Sequence, residues 1–205
     1  DYWGMVSLLE EFPDVRVTLA EEPSVLRRQI AEAQILVTEP TSVEESLLRD
    51  AVELRWIHAV TSGTDGIAEL ESLRSEVMLT SSRGVHTGAM SEAALMAMLA
   101  LSRDLPRAIR NQARRVWARW PAALLEGKTV GILGVGAIGV ALAEKCRALG
   151  MHIVGFSRAR RVISGLDEVR LWTELHCVLG RCDFVVSLLP SSPETRGVIG
   201  RELLE

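Results

Sequence analysis

One stretch limits what this chain can fold into more than any other: an apolar, β-rich run, TVGILGV at 129–135, that overlaps Gly134-Val135-Gly136-Ala137-Ile138-Gly139 and leads into an amphipathic pattern over 137–149. A strand, a G-x-G-x-x-G turn and a helix in immediate succession specify a parallel βαβ unit. Gly134 permits the tight turn, Gly136 keeps a side chain out of the way of an approaching ligand, and Gly139 lets helix and strand pack closely. The backbone N–H groups around Ala137, Ile138 and Gly139 begin the helix without partners and carry roughly half a positive charge from the aligned peptides. The expected occupant is the pyrophosphate of a dinucleotide.

The rest of the chain repeats the same alternation. Runs VRVTLA (15–20), ILVTE (35–39), LRWIHAV (54–60) and VMLT (77–80) read as strands. A helix is expected over Trp3 to Glu11, a second from Glu22-Pro23, and a third behind a capping box at Thr41-Ser42-Val43-Glu44-Glu45. A long helical stretch then runs from Met90 to about Val116, kinked or broken at Pro106. After the glycine turn come a strand at 152–156, a helix near 173–179 and a strand at 183–190, which makes three strands, one half of a Rossmann sheet. The fold class expected is α/β, with two doubly wound parallel-sheet domains: a flavodoxin-like one at 1–89 lacking its first strand, and a Rossmann domain at 90–205 of which only the N-terminal half is present.

About twenty residues after such a turn, a site for NAD places a carboxylate that accepts hydrogen bonds from the ribose. This chain has Phe156 ending the strand, then Ser157-Arg158, with Arg160 and Arg161 close behind. A hydroxyl and a guanidinium suit a 2′-phosphate, which the usual acid would repel. NADP is therefore the expected cofactor, with NAD possible through the ribose alone.

Charge and cysteines narrow the remaining classes. With 23 basic and 27 acidic side chains the net charge is -4, so no broad positive field invites nucleic acid or an anionic membrane. No apolar run approaches the roughly 20 residues of a membrane span, and no secretory leader opens the chain, so a cytoplasmic location is expected. Cys146, Cys177 and Cys182 form no CxxC pair, and Cys177-x4-Cys182 lacks further ligands at a fitting spacing, so neither disulfides nor a metal site is expected. Six arginines between 103 and 119 read as a solvated helix face.

Four segments together resemble the D-isomer-specific 2-hydroxyacid dehydrogenase family: GTDGI (63–67), SEAALMAMLALSRDLPRA (91–108), LEGKTVGILGVGAIG (125–139) and CDFVVSLLPSSPETRGVI (182–199). The resemblance implies hydride transfer between a nicotinamide and a small 2-oxo or D-2-hydroxy acid, of the glyoxylate or hydroxypyruvate type, in a homodimer. It makes the first domain the substrate domain, with Ser62 and Gly63 in the loop whose N–H groups hold the substrate carboxylate. It places Leu189, Pro190 and Thr195 along the adenosine and pyrophosphate side of the cleft, and Glu92 at the start of the connector helix. An exposed Ser-Gly-Thr-Asp-Gly turn at the carboxyl end of a strand fits that placement.

The family's substrate-orienting arginine, its acidic partner and its catalytic histidine are expected downstream of Glu205, so no catalytic residue is assigned within this chain. A reductase needs a proton donor for the developing alkoxide. His58, His152 and His176 read as structural, and His86 lies nearest to where a cleft belongs. A chain ending at Glu205 is expected to bind cofactor weakly and turn nothing over. The alternative function is a nicotinamide-responsive regulatory or corepressor protein on the same fold.

Overall fold

The computed structural model describes residues 12, 14–159, 162–192 and 194–204. They divide into two compact units, the first ending at Ser82 and the second beginning at Arg83. The helix expected over Trp3 to Glu11 lies outside the described residues, as do Arg160 and Arg161.

In the first unit, β1 (Ile35–Thr38), β2 (Trp56–Ala59) and β3 (Met78–Ser81) form a parallel sheet in the order β1-β2-β3. Helices α1 (Pro23–Gln29) and α2 (Glu45–Asp50) connect and cover it, with Ile30, Leu47, Leu48, Leu54, Ile57 and Ile67 in the core. Two expectations fail here. Residues 15–20 form no strand: a strand exists through its neighbour, β1 pairs only with β2 among the described residues, and Val15, Val17 and Leu19 remain exposed. The capping box is also absent, because Pro40 starts a 3-10 turn that takes up Thr41 and Ser42, leaving Glu44 as an N-cap without a side-chain bond. The Glu45 carboxylate serves elsewhere, accepting the amides of Glu71 at 2.7 Å and Ser72 at 3.0 Å and so anchoring that loop.

The second unit opens with α3 (Thr87–Ser102) and α4 (Leu105–Ala113). The helix starts at Thr87, ahead of the expected Met90, so Glu92 sits past its first turn and caps nothing. The break falls at Asp104, whose left-handed backbone (φ 49°) turns the chain and whose carboxylate caps the Arg107 amide at 3.4 Å. Pro106 then sits in the first turn of α4, where its missing N–H costs nothing. Helix α3 packs against α5 (Ala137–Ala148), with Met98 joining Val130, Ile132, Leu142 and Ile153 in one core.

The sheet beneath has four parallel strands in the order β6-β5-β4-β7: β4 (Thr129–Leu133), β5 (His152–Ser157), β6 (Glu168–Leu171) and β7 (Phe184–Ser187). Strand β4 is central and almost wholly buried, as an apolar run covered on both faces must be. Two short helices follow, α6 (Leu175–Leu179) and α7 (Arg201–Leu204). Strand β6 is additional to the three expected. Its alternating charges hid it, because at a sheet edge they pair with one another: Arg170 donates to Glu168 at 2.6 Å and Arg181 does so at 3.3 Å.

Candidate functional site

Register aligns the strand ends that build the site. Leu133 lies opposite Phe156 on one side and Ser187 on the other, so Gly134, Ser157 and Leu188 come next side by side. Strand β5 extends one residue beyond the expected Phe156, which makes Ser157 its last, buried residue.

The glycine turn is built by close contacts behind and open space in front. Gly134 has φ +97°, and a Cβ there would lie 2.8 Å from the Leu188 carbonyl oxygen and 3.2 Å from a methyl of Leu189. A Cβ at Gly139 would stand 2.5 Å from the Gly134 carbonyl oxygen and 3.3 Å from Ile132. Gly136, the N-cap of α5, differs: a Cβ there would meet nothing within 4 Å. The first intrahelical bond of α5 comes from Val140 to the Gly136 carbonyl at 3.0 Å, so the N–H groups of Ala137, Ile138 and Gly139 precede the helical ladder. Gly136 and Ala137 are exposed, Ile138 is half-buried and Gly139 is buried. Amides that precede the ladder, a helix of twelve residues behind them and the room left by Gly136 fit the pyrophosphate of a dinucleotide.

Beside this turn the Ser157 hydroxyl closes a local loop, donating to the Ala159 carbonyl and accepting from the Ala159 amide at 3.3 Å. Arg158 projects into solvent, and its Nη2 lies 3.6 Å from Oε2 of Glu194. The Ser192 hydroxyl donates to the same oxygen at 2.6 Å, and Ser192 first, with Arg158 adding a smaller pull, keeps the Glu194 carboxyl below the usual range. Thr195 clips its own turn: its hydroxyl donates to the Pro190 carbonyl at 2.6 Å and accepts from the Ser192 amide at 2.9 Å. Leu189 packs against the cluster that contains Leu133 and Phe156, and Pro190 is exposed.

Thus Gly134, Gly136, Ala137, Ile138, Gly139, Leu189 and Pro190 come together around one sheet end, with Ser157 ending β5 and Arg158 and Thr195 on the loops that rise from it. Ser62 and Gly63 belong to the first unit, on the loop after β2. There the Thr61 hydroxyl donates to the Gly63 carbonyl at 2.8 Å and the Ser81 hydroxyl to the Ser62 carbonyl at 3.3 Å. The Asp65 carboxylate lies beside Gly63, with Oδ2 3.3 Å from where a Cβ would be. An anion held on the Gly63 amide would feel that charge.

The histidines are mostly engaged. His58 is half-buried and its ring nitrogens meet the hydroxyls of Thr80 at 2.8 Å and Ser82 at 3.1 Å. His152 lies 3.4 Å from Asp167, a carboxylate that also receives Arg147 and the Ile153 amide. His176 is exposed on α6, and His86 is the N-cap residue of α3. Sequence reasoning missed Glu194, although an acid in the Ser-Ser-Pro-Glu-Thr stretch after the third recognised strand was a visible signal for it. Among the described residues no group of three His, Cys, Asp or Glu side chains is placed to hold a metal, and no helix is long and apolar enough to cross a membrane.

Comparison with known proteins agrees with this geometry. The family model described as "D-isomer specific 2-hydroxyacid dehydrogenase, NAD binding domain" matches residues 95–205. A D-3-phosphoglycerate dehydrogenase of Methanocaldococcus jannaschii is 28% identical over 201 residues, covering 96% of this chain and 38% of that protein. The crystal structure of a D-isomer specific 2-hydroxyacid dehydrogenase family protein from Aeromonas salmonicida superposes with a TM-score of 0.85 at 32% identity, covering 97% of this chain and 64% of that one. The NADPH-dependent glyoxylate/hydroxypyruvate reductase of Sinorhizobium meliloti, crystallised with NADP and sulfate, gives 0.78 at 28% identity, covering 94% of this chain and 60% of that one. The chain therefore spans less than two thirds of the length of each of these proteins.

Proposed function

Because the chain belongs to the D-isomer-specific 2-hydroxyacid dehydrogenase family, we propose that it acts in an oxidoreductase that moves a hydride between NADP(H), or NAD(H), and a small 2-oxo or D-2-hydroxy acid. The observation that carries this reading is the room before Gly136, which opens directly onto the first amides of α5. When bound, the nicotinamide supplies or accepts the hydride.

The chain's own residues bind and orient. The amides of Ala137, Ile138 and Gly139 take the pyrophosphate, with the helix dipole adding to their attraction for negative charge. Leu189 and Pro190 wall the adenosine side, and the turn that Thr195 clips holds them in place. Ser157 and Arg158 receive the ribose 2′ position, and the guanidinium favours a 2′-phosphate. In the first unit the backbone N–H groups around Ser62 and Gly63 hold the substrate carboxylate. Residues 1–89 thus serve the substrate and 90–205 the dinucleotide. Among 2-oxo acids we favour glyoxylate and hydroxypyruvate, for which the Sinorhizobium meliloti enzyme, one of the relatives crystallised with NADP, is named.

The reading includes a cytoplasmic homodimer. Its support is an apolar surface on α3 and α4, where Met96, Leu99, Leu101 and Ile109 are all exposed and Leu95, Leu99 and Leu105 line a shallow groove. The deciding experiment is titration of this chain with NADPH and NADH, followed, in a protein that carries this chain together with the family's catalytic residues, by oxidation of NADPH in the presence of glyoxylate or hydroxypyruvate. Binding of neither nucleotide would refute the proposal.

A further inference from the structure

The structure brings an acid to the ribose corner after all, from a different strand. Strands β5 and β7 flank β4, so the loops that follow them rise on either side of the glycine turn. Arg158 comes from the first loop and Glu194 from the second, and the two meet at 3.6 Å. The Glu194 carboxylate does not depend on Arg158 for its position, because the Ser192 hydroxyl holds the same oxygen at 2.6 Å. Both contacts use Oε2, and a carboxylate has lone pairs for about four donors, so Oε1 keeps acceptor capacity. In a unit of this kind the adenosine ribose rests at the end of the second strand, where the hydroxyl at its 2′ position ordinarily finds an acid. Here the second strand ends at Ser157, beside Arg158.

We infer that Arg158 and Glu194 form a two-sign receptor for the ribose 2′ position, in which Glu194 determines how strongly the two cofactors are told apart. A plain ribose donates its 2′-hydroxyl to the Glu194 carboxylate, the role that the missing acid of the second strand would have filled. A 2′-phosphate pairs with Arg158, but it must first draw the guanidinium away from Glu194 and then sits near a like charge. Glu194 thus assists the unphosphorylated dinucleotide, opposes the phosphorylated one, and narrows the preference that Arg158 creates. This inference rests on the dinucleotide reading of the preceding subsection.

The test is calorimetric titration of the full chain, and of its Glu194→Gln, Glu194→Asp and Arg158→Gln variants, with NADP+ and with NAD+. Arg158 and Glu194 are each about two-thirds exposed, so none of these changes threatens the fold. Glu194→Gln is expected to tighten NADP+ and weaken NAD+, each by roughly two- to fivefold, the range of one exposed charge contact. Glu194→Asp should recover part of the NAD+ affinity, and Arg158→Gln should weaken NADP+ while sparing NAD+. If Glu194→Gln leaves both affinities unchanged, or moves them together, the receptor is refuted and the dinucleotide site stands. If the unaltered chain binds neither nucleotide, both readings fail.

Discussion

A methyl group added at Gly139 would stand 2.5 Å from the carbonyl oxygen of Gly134, well inside the separation at which carbon and oxygen repel. The start of α5 is thus seated against the turn that precedes it, and Gly136, between the two, is left facing open space.

That contrast separates folding from binding. Gly139→Ala is expected to force backbone to shift at a cost of roughly 1–3 kcal/mol, lowering the melting temperature by about 2–4 °C for each of those kcal/mol. Gly136→Val should leave melting nearly unchanged, since its backbone is extended and its surroundings are empty. The valine would occupy the space before the α5 amides, so affinity for NADPH should fall by at least about tenfold. Thermal melts and nucleotide titrations of both variants check the pair; a Gly136→Val protein that binds normally would count against the site.

Salt should distinguish the cofactors. Arg158 is exposed, and its attraction for a 2′-phosphate is screened as the Debye length shrinks from about 10 Å at 0.1 M to about 3 Å at 1 M. Affinity for NADPH is expected to drop further than that for NADH over this range. Parallel slopes for the two would mean that Arg158 does not touch the phosphate.

Asp183 gives the second sheet a pH dependence. The Lys128 ammonium at 2.8 Å, and then the Thr129 amide at 2.9 Å, hold its carboxyl below its ordinary 3.8. A lowered value in the fold means stability that is complete above the ordinary value and is lost as pH falls through the lowered one. Urea midpoints of the unaltered chain should therefore decline below about pH 4, the unfolded-state value of an aspartate, and Asp183→Asn should flatten that part of the decline. An identical acid limb in both proteins would remove Asp183 from the account.

The three thiols should react in order of exposure. Cys177 is exposed on α6, whereas burial pushes Cys146 up to about 11 and raises Cys182 as well. A thiol reagent at about pH 8, near the ordinary cysteine value, is expected to modify Cys177 first and Cys146 only on unfolding. Mass mapping of a short exposure to iodoacetamide reads this directly.

Leu101 is 69% exposed on α3. Leu101→Glu should leave the monomer's stability nearly unchanged while abolishing a dimer that uses this face. Sedimentation velocity of both proteins decides it, and equal distributions would exclude Leu101 from any subunit contact.

The sequence made the glycine turn more legible than the fold around it. The glycine turn is contiguous, with Gly134 and Gly139 each answering to a close contact and Gly136 facing open space, so the turn at Gly134 to Gly139 could be read directly from the pattern. Strand β6 could not, because Glu168 and Arg170 look like a solvated loop until the sheet supplies an edge on which they pair. The run at 15–20 misled in the opposite direction: it has the composition of a strand without a neighbour to complete it. The contact between Arg158 and Glu194 is a product of strand order, 36 residues apart in sequence and joined only because β5 and β7 flank β4. The Thr41-Ser42 signal failed for a local reason, since the ring of Pro40 had already committed those residues to another turn.

The joint at Asp104 gives the apolar surface of α4 an unusual independence. A left-handed aspartate costs of the order of 1 kcal/mol, and a single side-chain bond to the Arg107 amide offsets part of it. Arg107 in turn lies 4.7 Å over the ring of Trp120, tethering the helix from its other side. Exchanging residue 104, together with release of the Arg107 contact on Trp120, would let a descendant of this chain re-aim a whole helical surface while the strands of the second sheet keep their positions.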